Sequence, residues 1–285
     1  MIGTRSIDLL GGNVAIAGRW QLHPLHLYLV RVYLGIGDLT LPLEGPAYGR
    51  TLRQLGEIGK REAPTMERLG ILVDDEVHPG LKAALEVLAK PYLWMDSLWF
   101  PVLGEEAAWR VVAAQTDGDR VVLGVQGPGE DDRFGGVLTV EVHEKTPLPQ
   151  VLLATFPAAP PGRRPTVRVP ESSFRSDEQQ DEPPESYLQQ AQQPRMSSGD
   201  RQLAAYRELA ATAHARAGQF AANRRDPHGL LKRSSVVRWF DNPAPDGRYL
   251  DYAEPGSTGE TMHVAEPADA RRVRSKLEEL LNSVR

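Results

Sequence analysis

The stretch from Ala217 to Val284 constrains the fold most, because turn signals cut it into four short runs rich in strand-forming residues before a closing amphipathic run. The pieces are AGQFAANRRD, SSVVRWFDN, GRYLDYAEP and ETMHVAEP, followed by Pro267 to Val284. Between them stand Asp226-Pro227-His228-Gly229, Asn242-Pro243-Ala244-Pro245-Asp246-Gly247 and Pro255-Gly256-Ser257-Thr258-Gly259. These join the preset φ of proline to the positive φ that glycine tolerates, as hairpin connections require. The spacing predicts short antiparallel strands closed by a helix. In that helix Ala270, Val273, Leu277, Leu280, Leu281 and Val284 share one face, Pro267 suits the first helical position, and Asp269 suits the positive end of the dipole. Almost no side chain in this segment is suited to chemistry, which points to recognition of another protein.

The amino-terminal half carries a comparable order. Val14 to Ala17 reads as a first strand, and Pro24 to Leu34 (PLHLYLVRVYL) as a buried helix or strand, between which periodicity does not decide. Leu52, Leu55, Ile58, Met66 and Leu69 follow helical spacing, with a kink or restart expected at Pro64. Pro79 to Ala89 is a helix with Leu81, Leu85 and Leu88 on one face, stopped by Pro91. Strands are predicted at Tyr92 to Phe100, Ala107 to Thr116, Arg120 to Gln126 and Gly136 to His143, with Asp117-Gly118-Asp119 as a hairpin turn. Leu148, Leu152 and Leu153 then suggest a short helix ending at Pro157. Four strands and a helix recur in both parts. The expectation is an α+β fold of two quasi-symmetric halves, each an antiparallel sheet with helices, forming one compact body: 1–170, a linker at 171–198, and 199–285.

The linker is expected because Glu171 to Ser198 (ESSFRSDEQQDEPPESYLQQAQQPRMSS) has too few apolar residues to offset its ordering entropy. Gly199 and Asp200 then open a helix in which Leu203, Tyr206, Ala210, Ala213 and Ala217 form the apolar face.

Composition removes several functional classes. The net charge is -5 and the arginines are scattered, so the electrostatic footprint of a nucleic-acid binder is missing. There are no cysteines, hence no disulfide, thiolate nucleophile or cysteine-ligated metal. No run approaches the ~20 apolar residues of a membrane span. Asp8, Gly11, Gly12 and Asn13 interrupt the only apolar run near the start, so neither a signal peptide nor membrane insertion is expected, and the cytoplasm is the default location.

Candidate chemistry is sparse. His23 and His26 lie three apart, but Pro24 breaks the spacing and no carboxylate follows at ligand distance. His78, His143, His214, His228 and His263 sit in unrelated contexts. The glycine-rich stretch 127–136 carries three acidic residues, lacks the Lys-Ser/Thr ending of a phosphate loop and leads into a strand, so a long hairpin loop is expected. Asp74-Asp75 and Glu105-Glu106 are adjacent pairs that diverge on regular structure, and Ser234-Ser235 opens an edge-like strand. No catalytic residue, metal site or cofactor is expected.

Aromatic residues stand out more. Trp94 and Trp99 have opposite parity along one predicted strand, so both are buried only if both sheet faces are covered; otherwise one faces a partner. Beyond them Pro101-Val102-Leu103-Gly104 places apolar residues at a hairpin tip, a common mark of a contact surface. Trp99, Phe100, Pro101, Val102, Leu103 and Trp109 are therefore the candidate partner-binding residues.

The series Gly218-Gln219-Phe220, Arg224-Arg225-Asp226, Gly229, Trp239-Phe240-Asp241 and Gly247-Arg248-Tyr249-Leu250, entering the Pro267 helix, resembles the carboxy-terminal part of the EspG family. That family comprises secretion-associated proteins of actinobacterial type VII (ESX) systems. The likeness extends more loosely through Leu81 to Pro91 and the strands after it, while the first forty-five residues depart from the pattern. The resemblance implies a quasi-two-fold α+β structure acting as a non-catalytic cytoplasmic chaperone. It further implies a partner, the helical tip of a PE/PPE-type heterodimer, whose apolar patch the chaperone keeps from aggregating until export. In the family the loop between the second and third sheet strands, with the adjoining sheet and carboxy-terminal helical region, is associated with substrate binding; here that loop corresponds to Phe100 to Glu106. A weak homodimer is left open. Two other readings stand beside this one: an enzyme of unfamiliar fold with His23, His26 or His143 serving a carboxylate cleft, and a scaffold unrelated to secretion.

Limited proteolysis is expected to nick 171–198 first while both fragments stay associated. First cleavage inside Ala217 to Val284 refutes this organisation.

Overall fold

Proline- and glycine-punctuated runs too short to bury a core singly must pair edge to edge, and in the computed structural model strands from both ends of the described residues do so in one sheet. The structure describes residues 15–45, 48, 51–105, 107–116, 118–130, 135–178 and 197–285. It opens with β1 (Ala15–Leu22), α1 (Pro24–Leu34) and α2 (Leu52–Arg68), then a small hairpin of β2 (Leu72–Val73) and β3 (Glu76–Val77), then α3 (Pro79–Ala89). A meander follows of β4 (Leu93–Phe100), β5 (Trp109–Gln115), β6 (Arg120–Pro128) and β7 (Gly135–Glu144), with α4 (Leu148–Leu153) after it. Next come β8 (Val167–Pro170), α5 (Glu171–Glu178) and α6 (Ser198–Ala211). The last part is β9 (Arg216–Arg225), β10 (Leu231–Arg233), β11 (Val237–Asp241), β12 (Arg248–Pro255), β13 (Thr261–Pro267) and α7 (Ala270–Val284).

The mixed α+β class is observed, but the strands predicted for two halves are joined in one antiparallel sheet. Its order is β1-β7-β6-β5-β4-β9-β11-β12-β13-β8, with β10 off this path beside β9. The junction is the β4–β9 pair, in register from Leu93↔Arg224 to Phe100↔Ala217. β8, which a division at 170 counts with the amino-terminal half, pairs with β13.

Helices cover the two faces differently. On one face α4 and α7 lie over a core that includes Met95, Trp99, Val111, Phe220, Trp239, Leu250, Leu152 and Leu277. On the other face the helices are split. There α1 and α3 cover the β1–β7–β6–β5 side, where Leu27, Leu81, Leu85 and Leu88 meet Trp20, Trp94 and Val140. At the far end Leu203 and Leu209 of α6 pack on Val167, Val169, Phe240 and Tyr249. Trp94, near the start of β4, packs in the core under α1 and α3, and Trp99, near its end, packs in the core under α4 and α7, so both are core residues, 3% and 7% exposed.

Several local expectations are corrected. α2 continues through Pro64, because losing one backbone bond on an exposed turn leaves the lost partner, the Lys60 carbonyl, open to water. Of the residues assigned to its apolar face only Met66 is buried, and Leu52 is fully displayed. α6 starts at Ser198 under a capping box of Ser197 and Asp200 and ends at Ala211, so Ala213 and Ala217 lie beyond it, and Leu209 rather than Ala210 completes its buried face. The first eight residues of the expected linker form α5, with Phe174 packed edge-on against Tyr206 and His263; residues 179–196 lie outside the described residues, as do Val14 of the expected first strand and the start of the chain. Ser234-Ser235 falls between β10 and β11 instead of opening a strand. Pro267 ends β13 opposite Tyr249, and α7 begins three residues later, after its cap Asp269, whose carboxylate accepts from the Arg272 N–H at 2.8 Å.

Ala270 is exposed, but Val273, Leu277, Leu280, Leu281 and Val284 are buried as the spacing predicts, with the Lys276 ammonium 3.8 Å from the centre of the Tyr252 ring. Leu277 is fully buried in the shared core. Leu277→Ala is therefore expected to lower unfolding free energy by about 2–5 kcal/mol; chemical denaturation checks it, and a neutral result would mean this face is not packed.

Candidate partner-binding site

The tip between β4 and β5 rests on aromatic packing that the strand register creates. Trp99 and Trp109 stand directly opposite each other and stack with ring centres 5.6 Å apart and planes within 8°. Trp239 closes on Trp99 from the far side at 6.1 Å, and Phe156 stacks on Trp239 at 5.5 Å. β9 passes close because residue 218 has no side chain: a Cβ there would lie 2.4 Å from that of Trp99. Beneath the cluster the Arg248 guanidinium sits 4.5 Å from the Trp239 ring centre and donates to both oxygens of Asp241 at 2.7 and 2.9 Å. Arg216 adds a third contact to that buried carboxylate at 2.8 Å. Charge and aromatic stacking together fix the base of the tip.

Above this base the loop turns at Gly104, whose φ is 97°, and displays Val102 and Leu103, each 47% exposed. The six candidate residues therefore split. Trp99 and Trp109 are the support, Phe100 and Pro101 are half-buried, and only Val102 and Leu103 offer apolar surface. Glu106 lies outside the described residues.

Sequence reading missed the strip that runs from the tip along the sheet. Leu98, Gln219, Arg238 and Asp251 lie side by side on β4, β9, β11 and β12 and share one face. This is the face whose helices are split, so the middle strands stay open: Gln219 and Arg238 are exposed and Leu98 is half-buried. Asp251 closes the row by accepting from the Tyr206 hydroxyl of α6 at 2.9 Å. Burial first and then the Asp251 charge push the Tyr206 hydroxyl up. A polar Gln219 beside the core residue Phe220 was the available signal, since alternation sends the two to opposite faces.

The histidines do not converge. His23 caps α1, accepting from the Leu25 N–H at 3.3 Å. His26 is buried against Glu62 at 3.4 Å on the face covered by α1, whereas His143 pairs with Glu141 at 3.0 Å on the opposite face. The His143 hydrogen bond holds the Glu141 carboxyl below its usual range, against the upward push of burial. Each histidine serves a local pair, and the three share no cleft. Among the described residues no group of three histidine or acidic side chains is placed to hold a metal, and no helix is long and apolar enough to cross a membrane. The glycine-rich stretch joins β6 to β7 as a hairpin with Pro128 opposite Gly135, and residues 131–134 lie outside the described residues.

A sheet with a supported apolar tip and an open central strip is what comparison with known proteins has to account for. The EspG family model matches residues 23–279. The chain belongs to the EspG family. Among solved structures it is similar to the Mycobacterium tuberculosis type VII secretion system chaperone EspG5 in complex with a PE25-PPE41 dimer, at TM-score 0.62 and 17% identity, covering 94% of this chain and 97% of that one. Two further matches fall at TM-scores too low to carry an argument. One is a tesB protein of Mycobacterium avium subs paratuberculosis, at 0.17, 12% identity, and 67% and 86% coverage. The other is a 12:0-ACP thioesterase from Umbellularia californica, at 0.16, 11% identity, and 88% and 92% coverage. No curated protein sequence matches the chain.

In this EspG-family chain, support and display predict opposite mutational signatures. Trp99→Ala is expected to cost about 3–5 kcal/mol of stability. Trp99→Phe should cost less, since it keeps a ring and removes an indole N–H that is buried without a partner. Equal losses for the two variants would show that the stack does not support the tip.

Proposed function

We propose that this EspG-family chain is a cytoplasmic, non-catalytic chaperone of type VII secretion that binds a PE/PPE-type heterodimer at its helical tip and keeps it soluble for export. The observation that carries the reading is the family match over residues 23–279, supported by the shared fold of EspG5, a chaperone solved in complex with a PE25-PPE41 dimer. Val102 and Leu103 are the contact residues we assign, with the strip from Leu98 through Gln219 to Arg238 as the adjoining surface. An apolar tip flanked by polar, open strands suits capture by shape and hydrophobic burial, which requires no cofactor. The base beneath it fixes the strand ends that carry Val102 and Leu103, which lowers the entropic cost of association. No specific observation favours the enzyme reading.

Capture of a helical secreted pair from an actinobacterial lysate tests the partner class. Replacing Val102 and Leu103 together by serine tests the site. Affinity for that pair should fall about tenfold or more, while the melting temperature stays within about 2 °C because exposed residues contribute little to the core. Unchanged affinity removes the loop from the site, and a large stability loss shows it to be core.

A further inference from the structure

The outer edge of β10 has no strand beside it among the described residues, and it lies at the end of β9 away from the tip. β10 pairs with β9 alone among the described strands, in line with β11 but past the end of β12. Its orientation follows from two flanking bonds. The Ser234 N–H donates to the Ala222 carbonyl at 2.9 Å, and the Asp226 N–H donates to the Leu230 carbonyl at 3.0 Å. Backbone direction alternates along an antiparallel strand, so residues 230, 232 and 234 face β9. The N–H and C=O groups of Leu231 and Arg233 therefore point to the open side. An edge with free backbone groups is a template for another strand.

Side-chain chemistry defines what this edge can take. Leu230 is 73% exposed, with Leu231 and Val236 beside it also displayed. Across 223–233 the sequence has Arg224, Arg225, Lys232 and Arg233 against Asp226 alone, a local excess of positive charge in a chain whose net charge is -5. Asp96 neutralises Arg233 through two hydrogen bonds of 2.7 and 3.1 Å. Asp226 keeps its charge but is held on its own turn, where its carboxylate accepts from the His228 and Leu230 N–H groups, so Arg224, Arg225 and Lys232 still outnumber it. Arg224 also donates to the Arg285 carbonyl, which ties this end of β9 to the residue that follows α7.

We propose that the outer edge of β10 accepts an extended acidic segment of another protein. The segment adds a strand against Leu231 and Arg233, with its apolar residues on the face of Leu231 and its carboxylates on the face of Lys232 and Arg224. A second copy of this chain is a poor occupant, since antiparallel self-pairing centred on β10 sets Lys232 against Lys232, and like charges directly opposite are destabilising. The surface is separate from the tip. β4 runs from Leu93, beside Arg224, to Phe100, beside Ala217, and eight residues of strand span about 25 Å. Both sites can be filled at once, and the inference does not rest on the chaperone reading.

The test uses the full chain and a fluorescent capped peptide alternating glutamate and valine, with a lysine–valine peptide as control, read by anisotropy. The acidic peptide should bind and the control should not. Leu231→Pro removes only an outward N–H, so peptide affinity should fall about tenfold or more with little change in melting temperature. Lys232→Glu, which leaves the backbone alone, should also weaken binding and keeps the test decisive if the proline variant misfolds. The Val102, Leu103 double serine variant should bind the peptide normally. The proposal is overturned by no binding of the acidic peptide, by equal binding of both peptides, by undiminished affinity in both edge variants, or by a dimer of the chain that Leu231→Pro dissolves.

Discussion

The pairing of β4 with β9 is the interaction on which the rest of this structure depends. It joins strands more than a hundred residues apart in sequence, and it places Trp99 where Trp239 and Gly218 meet it. At its other end Asn223 of β9 donates to Asp96 of β4 at 2.6 Å, and Arg233 of β10 donates to the same carboxylate. A buried carboxylate with one partner removed is strongly unfavourable, so this network specifies the register of the seam as well as stabilising it. Without the seam there are two short meanders, each with an open edge.

From the seam follows the unequal covering of the two faces. α7 and α4 share one continuous core under the centre of the sheet, so one face is dry from Val111 to Leu250. On the other face the helices belong to the two ends, and the middle strands are left to water at Gln219 and Arg238. Such an opening in the middle of a wide sheet is unusual because sheet faces bury against something. Its position next to an apolar tip is why we propose it as a surface for a partner, and the Asp241–Arg248–Arg216 group holds the strand ends that frame it.

The amino-acid sequence by itself determined the local elements, because the forces that set them act within a few residues. Proline and glycine turns fixed where strands break, leucine spacing fixed α3 and the buried face of α7, and the apolar tip was legible as Val102-Leu103 in a hairpin. The exceptions are local competitions. Pro267 resembled a helix start yet its φ suits a strand end equally well, and Glu171 to Glu178 found tertiary cover through Phe174 that its composition did not advertise. Only the tertiary structure decided that both tryptophans of β4 are buried, that β8 lies beyond β13 in the sheet, that His23, His26 and His143 lie apart, and that β10 has no strand on its outer side among the described residues. Each of these depends on which distant strand lies alongside, and backbone hydrogen bonds between strands carry no residue code. The choice is made by side chains packing across the seam, where Gly218 fits Trp99 and Asn223 fits Asp96, and no periodicity within either segment records that match.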